Sequence, residues 1–240
     1  MLRSHAVNLE RRAPPRIHGA IARAIGIEIV SGQRPPGFQF GGEIEASNAL
    51  GISRTAYREA MRTLAAKGMI ESRPRAGTRV TPRSQWNILD PEVLAWSFEG
   101  QPHPDFVRGL FELREMIEPG AAALAAQRRT EDHLLLLHAA LDEMAKHPLD
   151  TPEGQSADQR FHRTLFAATA NEPLVALAST IGAAVRWTTR FKTRDGPLLR
   201  DPVPDHYRVY EAIARGQPRA ASDAMRSLIR WALKDMKMSF

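Results

Sequence analysis

Apolar residues recur at helical spacing near the start of the chain and stop at a turn. From Arg16 to Ser31 they fall three and four positions apart, which predicts a first helix, and Gly32 with the following Pro-Pro-Gly ends it. A second, short helix is predicted from Glu43 to Leu50. After a break at Gly51, a third helix runs from its N-cap Ser53 to about Lys67. This order indicates a helix-turn-helix.

A β-hairpin is predicted directly after the third helix. Met69 to Arg73 has the pattern of a strand, Pro74 to Gly77 supplies a turn, and Thr78 to Thr81 has the pattern of the second, returning strand. A hairpin in this position forms the wing of a winged helix-turn-helix. We therefore assign residues 1–82 to a first domain and the polar, proline-bounded residues 83–90 to a linker.

Residues 91–240 show helical periodicity throughout and no convincing strand, which predicts a mainly α protein whose second domain is an all-α antiparallel helical bundle. Prolines and glycines separate its segments. The predicted helices are Pro91 to Phe98, Asp105 to Arg128, Glu131 to Lys146, Glu153 to Thr169, Leu174 to Thr193, Val203 to Arg215 and Ala220 to Met238.

Charge differs between the two halves. Through Pro82 there are 13 Lys and Arg against 6 Asp and Glu, a net charge of +7, whereas the rest has 20 against 21, a net charge of −1. A basic domain of this kind suits a polyanionic partner. The chain has no cysteine, which excludes disulfides and thiolate metal sites, and no apolar run long enough for a membrane span or signal peptide. We expect a soluble, cytoplasmic protein without a membrane partner.

The third helix has a basic face. Arg54, Arg58 and Arg62 are four positions apart and share that face. A capped helix of this kind can enter the major groove of DNA, where an arginine donates two hydrogen bonds to guanine. An ordinary solvated helix face is the alternative, and the helix, cap and hairpin in the right order argue against it. The predicted DNA-contacting residues are Ser53, Arg54, Thr55, Arg58, Arg75 and Gly77.

Asp158 and His162 lie four positions apart on one predicted helix, so their side chains point from the same face. His206, on a later helix, is a candidate third ligand for a metal. One carboxylate and two imidazoles suit Zn, Mn, Ni or Fe(II) and leave coordination positions open. From spacing alone, a simple surface pair is the more common arrangement.

Most of residues 16–81 match one known pattern, formed by Ile29-Val30-Ser31-Gly32, Pro36-Gly37, Leu50-Gly51-Ile52-Ser53-Arg54, Arg58-Glu59-Ala60-Met61, Leu64, Lys67-Gly68-Met69-Ile70 and Gly77-Thr78-Arg79-Val80. This pattern resembles the DNA-binding domain of the GntR superfamily. The resemblance implies a homodimer on double-stranded operator DNA. Many members carry a further DNA-contacting arginine directly after the glutamate that Glu43 matches, and this chain has Ile44 there.

A second pattern covers about residues 90–236 and includes Arg114, Glu118-Pro119, Ala122 to Gln127, Asp158, Phe161-His162, Asn171, Pro173, His206 and Ala212-Ile213. It resembles the ligand-binding domain of the FadR branch, the FCD domain. Members commonly hold a divalent metal with one aspartate and three histidines. Asp158, His162 and His206 match three of these, and Leu228 stands at the fourth. The resemblance implies a divalent metal cofactor, with zinc favoured and manganese or nickel as alternatives.

The same resemblance implies a small acidic effector. Arg114 matches an arginine that faces the effector carboxylate in the family, and its guanidinium offers a planar two-point grip. Pairing with Glu118, its i+4 neighbour, is the alternative. Further effector-contacting residues are expected at Trp187, Arg190 and Thr193.

The stretch Gln85 to Pro91, with Val93-Leu94 and Trp96, is similar to galactonate-responsive repressors of this branch. We therefore expect a repressor of sugar-acid catabolism genes that an aldonate or uronate releases from its operator, and we expect Trp86 and Trp96 to pack between domains. The alternative is a regulator that responds to a hydroxy acid or acyl-CoA without metal. An enzyme, such as a metal-dependent hydrolase or isomerase, is not expected, because no general base is evident near Asp158 and the DNA-binding half would have no purpose.

Overall fold

The chain divides into two units of contacting residues, Met1–Asn87 and Ile88–Phe240. A computed structural model describes residues 17–74, 77–99, 101–194 and 200–237. Within these residues, every helix is too short or too polar to cross a membrane.

The first unit contains the predicted helix-turn-helix. Its helices are α1 (Ile17–Val30), α2 (Glu43–Ala49) and α3 (Arg54–Ala66). α1 packs against α3, and both bury aliphatic side chains in the small core. The Ser53 hydroxyl accepts a hydrogen bond from the backbone N–H of Ala56 at 3.1 Å. This cap fixes the start of α3, as the sequence predicted.

A three-stranded antiparallel sheet completes the first unit. Its strands are β1 (Gln39–Phe40), β2 (Ile70–Arg73) and β3 (Gly77–Val80), in the order β1-β3-β2. The hairpin of β2 and β3 is the predicted wing, and Arg75 at its turn lies outside the described residues. β1 was not predicted. It is two residues long and is fixed by pairing with β3, where Phe40 lies opposite Thr78.

The segment after the wing is bound to the first unit. A single 3-10 turn, Arg83–Gln85, precedes Trp86, whose indole N–H donates to the backbone carbonyl of Thr81 at 3.0 Å. The backbone N–H of Asn87 donates to the carbonyl of Lys67 at 2.9 Å. These bonds hold residues 83–87, part of the stretch assigned to the linker, against the end of α3 and the wing.

The second unit is all α in its described part. Its helices are α4 (Pro91–Glu99), α5 (Pro104–Arg128), α6 (Glu131–Lys146), α7 (Pro152–Ala167), α8 (Glu172–Lys192), α9 (Val203–Ala214) and α10 (Pro218–Lys237). α5 packs against α7, α8, α9 and α10 and is the central helix. The buried core that these helices share is aliphatic and aromatic.

Four of these helices begin one or two residues before the predicted start. The reason is proline: Pro104, Pro152, Pro173 and Pro218 were treated as breaks, but each lies in the first turn of a helix. Proline is tolerated there because its missing N–H would have no partner in the helix.

Substitution of Gly154, in the first turn of α7, tests how closely the start of that helix packs against the backbone of the preceding loop. A methyl group at this position would collide with the backbone carbonyl oxygens of His147 and Pro148. We expect Gly154→Ala to lower the free energy of unfolding by about 1–3 kcal/mol, measured by urea denaturation. Gly120→Ala is the matched control, because a methyl group on Gly120 of α5 meets no atom within 4 Å. The control should be neutral or more stable by up to about 1 kcal/mol, and equal losses in both variants would contradict the packing argument.

Candidate DNA-binding surface and candidate metal centre

α3 presents its polar residues to solvent at its leading end. Ser53, Arg54, Thr55 and Arg58 are all exposed, while the opposite face buries Tyr57, Ala60 and Leu64. Gly77 is also exposed and starts β3 with a φ of 78°, a backbone conformation that favours glycine. The predicted contact residues that the structure describes therefore all lie at the surface.

An ion pair between α2 and α3 positions one of these arginines. Arg58 Nη2 donates to Glu43 Oε1 at 2.9 Å. Glu43, Ile44 and Arg54 line the same concave surface as Arg58. Glu43 was not predicted as part of this surface, because its contact with Arg58 depends on the packing of two helices.

Inside the second unit, the structure brings together the three predicted metal ligands. Asp158 and His162 come from α7 and His206 from α9, and their candidate ligand atoms all lie within 4.8 Å of one another. His206 Nε2 is 3.1 Å from Asp158 Oδ1, and His162 Nε2 is 3.5 Å from the same oxygen. All three residues are buried. Asp158 and His162 are therefore part of a buried site and do not form a surface pair.

The other nitrogen of each imidazole ring already faces an oxygen. His206 Nδ1 lies 2.9 Å from the carbonyl oxygen of Pro202, and His162 Nδ1 lies 2.7 Å from Glu118 Oε2. These oxygens favour a proton on Nδ1, so in the neutral rings both Nε2 lone pairs turn toward Asp158.

The three converging atoms fit a cation. Asp158 Oδ1, His162 Nε2 and His206 Nε2 are buried, and the carboxylate oxygen faces both ring nitrogens in contacts that lack hydrogen-bond geometry. Lone pairs that face one another in a buried site repel unless a positive charge lies between them. One carboxylate and two neutral imidazoles are a donor set for a divalent metal ion.

Glu118 connects this site to Arg114. Arg114 Nε donates to Glu118 Oε1 at 2.6 Å, and both side chains are almost completely buried. Burial alone would raise the pKa of Glu118, but the positive charges of Arg114 and His162 outweigh it and lower this pKa to about 2. A carboxylate with so low a pKa is a poor general base near neutral pH. The pairing of Arg114 with Glu118, left open from the sequence, is present.

The proton on His162 is the positive charge that the site holds without a metal. Burial would lower the pKa of His162, but the neighbouring carboxylates of Glu118 and Asp158 outweigh it and raise this pKa to about 9. A metal ion bound at Nε2 would supply the positive charge instead, because a ligating imidazole is neutral.

A cavity lies beside the three ligand atoms. It has a volume of about 30 Å³ and adjoins a cavity of about 380 Å³, with which it shares Leu149, Arg200 and Pro202. Arg114, the residue expected to bind the effector, lines the smaller cavity. Leu228, on α10, forms part of its apolar wall and cannot coordinate a metal.

α8 contributes other residues to this cavity than those expected. Thr189 and Lys192 line it, whereas Trp187, Arg190 and Thr193 do not. The guanidinium of Arg190 lies 5.2 Å from the ring centre of Trp187. Burial lowers the pKa of Lys192 to about 8. Thr189 and Lys192 are three positions apart, which places both on one face of α8. This spacing was the feature of the sequence that could have identified them.

Arg200 lies where the two cavities meet and was also missed from the sequence. It pairs with the buried carboxylate of Asp205, and its guanidinium lies 4.8 Å from the ring centre of Trp231. Arg114, Lys192 and Arg200 line the cavity with cationic groups, and Asp158, Asp205 and Asp235 line it with carboxylates. The cationic side chains offer partners to the carboxylate of a ligand.

Comparison with known proteins adds to this geometry. The family model described as bacterial regulatory proteins, gntR family, matches residues 18–80, and that of the FCD domain matches residues 109–230. The chain is 31% identical to the galactonate operon transcriptional repressor of Escherichia coli (strain K12), over 90% of this chain and 95% of that protein. It is 33% identical to the HTH-type transcriptional regulator YieP of the same strain, over 88% and 91% of the two chains. These relatives are transcription regulators, not enzymes.

Among solved structures, the chain is similar to Lar, which controls the expression of the Listeria monocytogenes agr system. The TM-score is 0.66, with 19% identity, over 95% of this chain and 99% of the other. At this level of identity the likeness concerns the fold alone.

Two arginines of α3 allow a charge-matched test of base reading. Arg54 is exposed on the concave surface beside α2, whereas Arg62, two turns further on, pairs with Glu59. We expect Arg54→Ala to weaken binding to a selected DNA duplex by about 1–3 kcal/mol and to relax the base preference at one position. Arg62→Ala removes the same charge and should have a smaller effect, equal for all sequences. Fluorescence anisotropy with duplexes changed one base pair at a time would measure both, and identical profiles would refute the assignment.

Proposed function

The chain belongs to the gntR family of bacterial regulatory proteins and carries an FCD domain, and from this premise we propose that it represses genes of sugar-acid catabolism until an aldonate or uronate releases it from its operator. It is a DNA-binding transcription regulator with an effector-binding domain. Its similarity to the repressor of the galactonate operon supports sugar acids as the effector class. The chemistry of the cavity supports the same choice.

We further propose that Asp158, His162 and His206 hold a divalent cation, with zinc favoured over manganese or nickel. The observation that carries this proposal is the convergence of three buried ligand atoms without hydrogen-bond partners among the described residues. Such a cation would offer an electrophilic centre to the carboxylate or hydroxyl oxygens of an effector. Leu228 cannot serve as the fourth protein ligand that the family resemblance implies, so an effector oxygen or water would have to complete the coordination of a bound cation.

The chain's own residues then bind and orient the effector. Arg114 grips its carboxylate, and Thr189 and Lys192 offer hydrogen-bond donors to its hydroxyl groups. The adjoining cavity of about 380 Å³ falls in the usual range for small-molecule sites of about 300–1,000 Å³. A polyhydroxy acid would pair with the polar side chains of the smaller cavity and with Arg200, which lines both cavities, whereas an acyl chain would leave these groups unpaired.

Release from DNA follows from differential binding. We propose that the chain forms a dimer in the cytoplasm, in which each copy contributes one α3 to one half-site of a palindromic operator. Light scattering of the free protein would measure its oligomeric state directly. An effector that binds more tightly to a state with low operator affinity shifts the population toward that state. Operator release therefore requires effector affinity to differ between the two states.

Thermal unfolding with a panel of ligands tests the effector and the metal together. Protein freed of metal by EDTA, then given Zn²⁺, Mn²⁺ or Ni²⁺, would be scanned with aldonates, uronates, hydroxy acids and acyl-CoAs. A ligand at a hundred times its Kd stabilises the native state by about 2.7 kcal/mol, which raises Tm by about 5–10 °C in a chain of this size. We expect such a shift from metal, and a further one from one sugar acid only when metal is present.

Two variants separate the contributions. Asp158→Asn should abolish the metal shift and with it the sugar-acid shift, whereas Arg114→Lys should keep the metal shift and lose that of the sugar acid. A sugar-acid shift that survives EDTA would show that Arg114 and its neighbours hold the effector alone, and the metal proposal would fail. A shift from acyl-CoA instead would overturn the sugar-acid class. The ligand that shifts Tm should also lower operator affinity, and without that effect it is not the releasing effector.

Glu118 should act on metal affinity without touching the metal. Its carboxylate lies 2.7 Å from His162 Nδ1 and orients that ring. We expect Glu118→Gln to lower Zn²⁺ affinity by about 10- to 100-fold in competition with a chromophoric chelator. Glu115→Gln is the control: it makes the same change one turn away on α5, where Glu115 pairs with Arg230 at the surface. Circular dichroism would verify that both variants are folded, and equal Zn²⁺ affinities would overturn the orienting role.

A further inference from the structure

An aliphatic side chain stands at the surface beside the arginines of α3. Ile44, in α2, has 60% of its surface exposed. It lines the same concave surface as Arg54 and Arg58. The residue before it, Glu43, holds Arg58 through a 2.9 Å hydrogen bond. An apolar side chain thus lies within the group of residues that is best placed to meet base edges.

Ile44 serves no purpose in the core of the first unit. The core is made by other residues, among them Ile25, Ile29 and Leu64, which are almost completely buried. An exposed isoleucine at a functional surface gains free energy only when a partner removes it from water. The partner of this surface is double-stranded DNA, because the domain is basic and belongs to a DNA-binding family.

The major groove of DNA offers one apolar group, the C5-methyl of thymine. The other base edges in that groove present hydrogen-bond donors and acceptors. An arginine discriminates guanine by two hydrogen bonds, whereas an aliphatic side chain can gain only from contact with the thymine methyl. Next to a polar base edge, Ile44 would leave donors and acceptors without partners, which costs free energy.

We propose that Ile44 is a specificity-determining residue that contacts the thymine methyl of a T·A pair next to the base pairs read by Arg54 and Arg58. The proposal rests on the proposed binding of α3 to the operator. It assigns one further base pair of that operator to recognition by Ile44. Glu43 supports the arrangement because its ion pair with Arg58 fixes α2 against α3 at this point. Ile44 therefore lies beside these arginines on the surface that α2 and α3 form together.

Replacement of thymine by deoxyuridine tests this contact, because it removes the methyl group and leaves the base-pairing groups in place. The full chain would first select its preferred duplex from a randomised pool, and each thymine would then be replaced singly by deoxyuridine. Loss of one buried methyl group corresponds to an affinity loss of about fourfold. We expect that loss at one thymine of each half-site for the wild type and for Ile44→Val.

The variant Ile44→Ala should bind the thymine duplex about fourfold or more weakly and should no longer distinguish it from the deoxyuridine duplex. Ile17→Ala is the matched control: Ile17 is 68% exposed in the same unit but lies at the start of α1, outside the concave surface. This control should keep the full response to deoxyuridine. Because Ile44 is exposed, its replacement leaves the core intact, and thermal unfolding would verify the fold.

The outcomes separate this proposal from operator binding itself. Thymines that all tolerate deoxyuridine, or a deoxyuridine effect that persists in Ile44→Ala, would overturn the role of Ile44 while operator binding stands. A selection that enriches no sequence at all would overturn sequence-specific binding, and the role of Ile44 with it. Coupling between Ile44 and one methyl group is the result that supports the contact.

Discussion

A line of buried charged and polar groups crosses the helical bundle and decides how the second unit can fold. It runs from Arg114 and Glu118 on α5, through His162 and Asp158 on α7, to His206 on α9. Removing an ion from water costs several kcal/mol in real proteins, so such groups are tolerated only when each has a partner. The three helices must therefore pack in a register that brings these partners together. The same buried side chains therefore belong both to the core of the second unit and to the candidate metal centre.

Spacing within a single helix was enough to predict that two of the candidate metal ligands lie together. The i, i+4 spacing placed Asp158 and His162 on one face of α7, because the helical repeat alone fixes that relation. The contact of Glu118 with His162 depends instead on how α5 packs against α7, and no spacing within either helix reveals it. For His206 the sequence named a candidate, and only the packing of α9 brought it to within 3.1 Å of Asp158.

Errors arose where a small rotation or a distant partner decides the outcome. On α8 the cavity-lining residues are Thr189 and Lys192, whereas Trp187, Arg190 and Thr193 were expected. Successive residues of a helix differ by about 100° in direction, so a shift of one or two positions moves a side chain to another face. The strand β1 was missed because two residues carry no periodicity, and its strand conformation depends on pairing with β3.

Two aliphatic residues, Ile44 and Leu228, stand where the family resemblance implies a DNA-contacting arginine and a metal-binding histidine. Ile44 lies among polar and charged residues, and Leu228 lies in the apolar part of a cavity that charged residues also line, so each removes one directional contact and leaves the neighbouring ones in place. An aliphatic group rejects polar partners more strongly than it attracts apolar ones, because an unpaired polar group at a desolvated contact costs more than one methyl contact gains. At Leu228 the consequence is that a metal ion held by Asp158, His162 and His206 would need a further ligand from outside the protein. Linkage is reciprocal. A small molecule that supplied this further ligand would strengthen metal binding, and the bound metal would strengthen the binding of that molecule by the same factor.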